Sequence, residues 1–284
     1  MIVYWGVFFF VLGTVWGSFC NVLIARLPSR APITGRSHCP NCRQTLAWYD
    51  LIPLLSFIIL RRQCRYCGER ISLRYPAVEL ASGLLFLLIY FQVGLSPASW
   101  ALYVFYATLS VVIVVVDFEH AIIPNELVIP ALPIALFASW ANIGPTAPDL
   151  TLALWGGVIG GGLFLGLYLL TGGQGMGMGD VKLALFMGLA LGAFRLLPAI
   201  LFASITALVW AGAIMIFFRE ALGGLENVEL SMHQEEEPDI TERIWGMMII
   251  NGRPAVPFGS FLILGFWFAM LWGTQIVSWW LNLS

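Results

Sequence analysis

Charge is scarce in this sequence. Asp, Glu, Lys and Arg make up 11% of its 284 residues, against about 25% in soluble domains, while 60% are hydrophobic and the mean hydropathy is +0.87. That scarcity excludes an ordinary soluble fold, a disordered protein and a nucleic-acid-binding module, and leaves a polytopic membrane protein embedded in lipid. Charged side chains are absent from residues 1 to 25 and again from residues 80 to 116. A dinucleotide fingerprint is absent too, since no window has glycines at i, i+2 and i+5 after a strand. Inverted repeats, which would signal a transporter, are likewise not found.

A helix needs about 20 mainly apolar residues to cross about 30 Å of hydrocarbon, and that length sets the count of spans. Residues 1 to 25 give the first, ending at Arg26-Leu27-Pro28. No Lys or Arg precedes the apolar run, so it reads as a retained span, not a cleaved signal peptide. The uncharged stretch 80 to 116 is too long for one crossing, and Gly94-Leu95-Ser96-Pro97 supplies the turn that divides it into two. Further spans are expected over 127–143, 151–171, 181–194, 196–218 and 256–281. The expected fold is therefore all-α, with about eight transmembrane helices. The span from 181 is short and the one from 127 carries Pro130 and Pro133, so either is a candidate for a broken or re-entrant segment.

The charges that do occur are sorted into blocks. Residues 26 to 74 hold nine of the fourteen basic residues, all Arg, against only Asp50 and Glu69. Cytoplasmic loops carry the excess of Arg and Lys, which places this loop in the cytoplasm and returns the chain to the same side near Asp117, near Asp180 and at an acidic segment, 219–255. The acidic segment reads as a solvated connector. The expected organisation is a first helix (1–25), a cytoplasmic tetracysteine domain (26–75) and a membrane core (76–284) that includes the acidic loop.

Four of the five cysteines form Cys39-Pro40-Asn41-Cys42 and Cys64-Arg65-Tyr66-Cys67, with 21 residues between the pairs. Two such pairs can give four thiolates to one tetrahedral ion, the arrangement of a structural zinc site. A thiol-disulfide redox site is the competing reading, but it would more often use one pair on a thioredoxin-like scaffold. Four cysteines leave no open coordination position, so the zinc would be structural, tying a loop too small to bury its own core. Cys20, inside the first span, reads as a small packing residue.

Two aspartates stand at span edges. Asp117 follows Val111 to Val116 directly, and Asp180 closes Gly175-Met176-Gly177-Met178-Gly179-Asp180. Ionisable residues there are costly and point to a functional site, although an interfacial aspartate can also simply cap a helix. Alternating glycines let the backbone come close to another chain, and so could present a carboxylate beside an extended peptide. Glu119, His120 and Glu126 are the neighbouring rivals and read as interfacial or structural.

These segments, in this order, resemble the type IV prepilin peptidases (prepilin leader peptidase/N-methyltransferase), a family of intramembrane aspartic proteases with a Gly-x-Gly-Asp motif. The resemblance rests on Gly17-Ser18-Phe19-Cys20-Asn21-Val22 with Arg26-Leu27-Pro28, and on the first cysteine pair followed by Trp48-Tyr49-Asp50-x-Ile52-Pro53. It continues through the second pair, Ile71-Ser72-x-Arg74-Tyr75-Pro76 with Glu79, Asp117 with Ile123-Pro124-Asn125, and Gly177-Met178-Gly179-Asp180-x-Lys182-Leu183. Pro257-Phe258-Gly259 fits a Pro-Phe-Gly-Pro stretch, except that Ser260 stands where Pro is usual. The resemblance implies Asp117 and Asp180 as a catalytic pair that cleaves the short basic leader of type IV prepilins or type II secretion pseudopilins at the inner membrane. It also implies methylation of the new N-terminus from S-adenosylmethionine, for which no binding residues can be assigned. A transporter with the aspartates as ion sites, or a membrane redox carrier, are the alternatives from other classes.

Overall fold

The computed structural model describes residues 2–173, 176–225, 248–250 and 253–282, which leaves most of the acidic segment outside the described residues. Eight helices account for most of it: α1 (Ile2–Arg26), the short α2 (Leu55–Ile59), α3 (Arg74–Val93), α4 (Pro97–His120), α5 (Asn125–Trp140), α6 (Leu150–Leu170), α7 (Met178–Leu225) and α8 (Phe258–Asn282). Two three-residue antiparallel strands, β1 (Met248–Ile250) and β2 (Arg253–Ala255), precede α8, and single β-bridges join His38 to Thr45 and Gln63 to Arg70 in the cysteine loop.

Six of these helices are long and apolar enough to cross a membrane, and α5 is a shorter apolar one. The chain is a multi-pass membrane protein. Gly94 closes α3 with a positive φ of 65°, and Pro97 opens α4, so the turn lies where the sequence places it. The two prolines do not break α5, which is continuous over its 16 residues. Both are exposed on one side, while Val128, Ala131, Ala135 and Ala138 bury the other.

The long helix α7 is two helices joined at Gly192, whose φ of 77° and ψ of 167° are not helical. Aromatic contacts fix the direction of each half. Phe186 in the first half packs against Phe266 of α8, and Trp210 in the second packs against Phe261, near the start of α8, and against Phe118, beside Asp117. Arg195, just after the break, lies against Gly273, far along α8. The second half therefore runs back toward the end of the bundle from which the first half started. Counting the two halves of α7 separately and adding α5 gives eight apolar helical segments among the described residues.

Close backbone approach holds the bundle together, as expected where lipid removes the hydrophobic drive between helices. A Cβ on Gly188 of α7 would collide with the Gly156 backbone of α6, so neither helix tolerates a side chain at that crossing. The buried core runs through α3 to α8 and includes Phe86, Leu109, Ile113, Leu183, Phe186, Met187, Leu196, Leu262 and Phe266. A second, smaller cluster joins Cys20, Leu23 and Ile24 of α1 to Val78 of α3 and Val112 and Val116 of α4. Cys20 is fully buried there.

Between α1 and α3 the chain changes character. From residue 27 to residue 77 the only buried residues are Cys39 and Cys64. This segment is tied to the helices by polar contacts. The Arg26 guanidinium donates to the carbonyls of Pro32 (3.0 Å) and Thr34 (2.8 Å), Asn21 Nδ2 donates to Tyr75 O (3.1 Å), and the Leu54 N–H donates to the buried Glu79 carboxylate (2.8 Å).

Candidate active site and metal centre

Both aspartates are carried at helix ends, on the same end of the bundle. Asp117 lies in the last turn of α4, which stops when Ala121 takes a left-handed φ of 51° and donates its N–H to Asp117 O at 2.9 Å. Its carboxylate is buried against α8. Oδ2 accepts from the Ser260 N–H at 2.7 Å and from Ser260 Oγ at 3.0 Å. Ser260 is the third residue of α8, so Asp117 caps that helix from another part of the chain and meets the positive end of its dipole.

Asp180 occupies the same position in its own helix, the third residue of α7. Its Oδ2 reaches back to accept the Gly177 N–H at 3.3 Å, as a carboxylate in a capping box does.

Ile123 fills the space between the two helix starts. A Cβ on Gly179 would stand 2.9 Å from Ile123 Cβ, and one on Gly259 would stand 2.8 Å from Ile123 Cδ1 and 3.0 Å from Asp117 Oδ2. Glycine before each of these positions therefore lets the first turns of α7 and α8 close onto the same side chain. Lys182 Nζ donates to Asn125 Oδ1 at 2.9 Å and ties α7 to the first residue of α5. Of the rival groups, Glu119 pairs with Arg74 of α3 at 2.7 Å, and Glu126 is exposed on α5.

Sequence reasoning found both aspartates and missed what surrounds them. Ser260 was visible only as a departure from a proline, and Ile123 only as part of a motif. The contact from Ser260 to Asp117 spans 143 residues of sequence, and no local pattern encodes it.

The four cysteines of the loop also come together. Their sulfurs all lie within 4.8 Å of one another, with Cys39 Sγ and Cys67 Sγ 3.9 Å apart. A tetrahedral site with metal–sulfur bonds of about 2.3 Å requires sulfurs about 3.8 Å apart, so the cluster fits a metal ion. The two pairs are built alike. Cys39 N–H donates to Gln44 O and Arg43 N–H to Cys39 O, while Cys64 N–H donates to Glu69 O and Gly68 N–H to Cys64 O. In each, the residue four after the first cysteine has a positive φ, 58° at Arg43 and 72° at Gly68. Burial pushes the Cys39 thiol up, but the N–H groups of Cys42 and Asn41 outweigh it and bring it to about 7, toward the thiolate that a metal needs. Asp50, between the two pairs in sequence, holds the second one by accepting from Arg65 Nε at 2.7 Å and the Tyr66 hydroxyl at 3.3 Å.

Comparison with known proteins places the whole chain in one family. Residues 11–93 match the bacterial peptidase A24 N-terminal domain, and residues 103–212 match the type IV leader peptidase family. A prepilin leader peptidase/N-methyltransferase of Stutzerimonas stutzeri is 32% identical, with 94% of this chain and 91% of that protein covered. The chain belongs to the type IV leader peptidase family. A similarly named protein of Bacillus subtilis (strain 168) is 30% identical, with 97% of each chain covered. No solved structure matches this chain. Both aspartates of this leader peptidase family member fall inside the second matched region and all four clustered cysteines inside the first. Helix α8, which supplies Ser260 to Asp117, lies outside both.

Proposed function

We propose that this protein cleaves the short basic leader from type IV prepilins or type II secretion pseudopilins, using Asp117 and Asp180 as an aspartic dyad. The observation that carries the proposal is that two carboxylates from distant parts of the chain are each held at the start of a helix, and both helix starts pack on Ile123 at one end of an apolar bundle. Prepilins offer a complementary target, a charged leader followed by an apolar helix, with the scissile bond at the boundary. The arginine-rich segment is on the same end of the bundle as the aspartates, through Arg74 and Glu119. Under the positive-inside rule that end faces the cytoplasm, and the membrane is the bacterial inner membrane.

Hydrolysis without a metal or a nucleophilic side chain needs one carboxylate to take a proton from water while the other, protonated, donates to the scissile carbonyl. The water oxygen bonds to the carbonyl carbon, giving a gem-diol. As the C–N bond breaks, the base returns its proton to the leaving amine, and a diol hydroxyl returns a proton to the acid. Both carboxyl groups end as they began.

The relatives' names add a second activity, N-methylation of the amine that cleavage exposes. S-adenosylmethionine would supply the methyl group; the residues that hold it are not assigned. The loop 26–75 forms a cytoplasmic domain beside the membrane core 76–284, and Cys39, Cys42, Cys64 and Cys67 hold a structural zinc ion.

The test is incubation of the purified protein with a prepilin, with and without S-adenosylmethionine, followed by sequencing and mass analysis of the product N-terminus. Leader release is expected in both cases and one added methyl group only with the donor. An intact prepilin after incubation with folded protein overturns the proposal.

A further inference from the structure

The two aspartates are not held alike. Asp117 Oδ2 receives two donors from one residue, the Ser260 N–H at 2.7 Å and the Ser260 hydroxyl at 3.0 Å, in a fully buried position. The bond that Asp180 accepts, from Gly177, is longer at 3.3 Å, and Asp180 is partly exposed. Short donors onto a carboxylate favour its charged form and fix its orientation. With both donors on Oδ2, Oδ1 is the oxygen left for water.

The Ser260 hydroxyl also has a second acceptor, Val114 O at 3.1 Å. One hydroxyl proton serves one of the two acceptors at a time. A charged Asp117 is the stronger acceptor and draws the hydroxyl to itself. Once Asp117 has taken a proton, Val114 O is the alternative, within reach by rotation about one bond.

We propose that Ser260 is a positioning residue that makes Asp117 the base of the dyad and Asp180 the acid. It locks Oδ2 to the first turn of α8, aims Oδ1 at the water, and moves its hydroxyl to Val114 O while Asp117 holds the water's proton. This assignment rests on the dyad reading above and gives its two members different roles. Its residue is the one at which this chain departs from the proline usual in the resembled family. Proline has neither an N–H nor a hydroxyl, so the departure adds two donors to the site.

The test compares prepilin cleavage by the full-length wild type, Ser260→Ala, Ser260→Pro, Asp117→Asn and Asp180→Asn, each checked by thermal unfolding. Ser260→Ala deletes the hydroxyl alone. Ser260→Pro deletes both donors at a first-turn position where proline suits a helix, and the preceding Gly259 accommodates it. A stepwise fall in kcat is expected, roughly 5-fold for Ala and roughly 10- to 50-fold for Pro, with KM for the prepilin unchanged. A merely structural role would instead lower the unfolding temperature or raise KM.

If both Ser260 variants keep kcat within about twofold of wild type while the Asp→Asn variants are inactive, the positioning role is overturned and the dyad stands. If a folded Asp→Asn variant cleaves, the dyad itself fails. Should Ser260→Pro not fold, Ser260→Ala decides alone, because it removes one hydroxyl and no backbone donor.

Discussion

The membrane bundle and the cysteine loop solve the same problem by opposite means. In the bundle, helices meet backbone to backbone, as at Gly156 and Gly188, and large side chains such as Phe186, Leu262 and Phe266 fill the remaining space. In the loop, Cys39 and Cys64 are the only residues buried between 27 and 77, and the chain is held by clustered sulfurs, by Asp50 and by contacts to α1 and α3. Close packing needs many residues that each contribute little. The zinc proposed for the four sulfurs would concentrate that stabilisation in four residues, which is how so short a segment would hold a fold.

The two regions can be separated by experiment. The largest effect is expected from Asp117→Asn or Asp180→Asn, each of which should lower prepilin cleavage by about 1,000-fold or more while bound metal and thermal unfolding stay at wild-type values. Loss of metal from either variant would show that the loop and the dyad are not independent. Changing Cys39 and Cys42 together to Ser should take zinc from about one ion per chain to none, measured by elemental analysis. Limited proteolysis should then cut within residues 27–73 while the helical fragments survive; simultaneous collapse of the helices would break the comparison.

Smaller effects sharpen it. Gly188→Ala forces α6 and α7 apart and should destabilise the bundle by about 1–3 kcal/mol, read by thermal unfolding in detergent, without altering metal content. At the loop's Arg43, glycine relieves the positive φ that its counterpart Gly68 already accommodates. Arg43→Gly should therefore slow zinc release to a chelator, a gain of about 0.5–1 kcal/mol.

The elements most legible in the sequence were those with local causes. Gly94 and Pro97 announce the turn between α3 and α4, and the paired cysteines announce their own cluster, because the signal and the structure occupy the same few residues. The interruption anticipated at Pro130 and Pro133 instead became a continuous helix. Its prolines share one exposed side, and the alanines opposite them keep α5 packed on α7, where Ser139 Oγ lies 3.4 Å from Leu189 O. The short span from 181 was one of two candidates for a broken segment, and α7 does break at Gly192, close to where that span was expected to end. At the candidate site, the aspartates were legible because charge is conspicuous in apolar sequence. Ser260, Ile123 and the Arg74–Glu119 pair were not, since each depends on segments that only tertiary packing brings together.

The bend at Gly192 decides which side of the bilayer everything after it occupies. Straight, the 39-residue span Met178–Ile216 would form a rod of about 58 Å, close to twice the hydrocarbon thickness. A Cβ at Gly192 would stand 2.8 Å from Pro148, and its φ of 77° disfavours other residues, so the bend is confined to this one position. By returning the chain to its starting side it sets the parity of the crossings, and parity is what lets α8 begin beside Asp117 and not at the far surface. A single glycine at the opposite end of the bundle thereby determines that the two ends of the candidate site, Asp180 and Ser260, are delivered to the same leaflet.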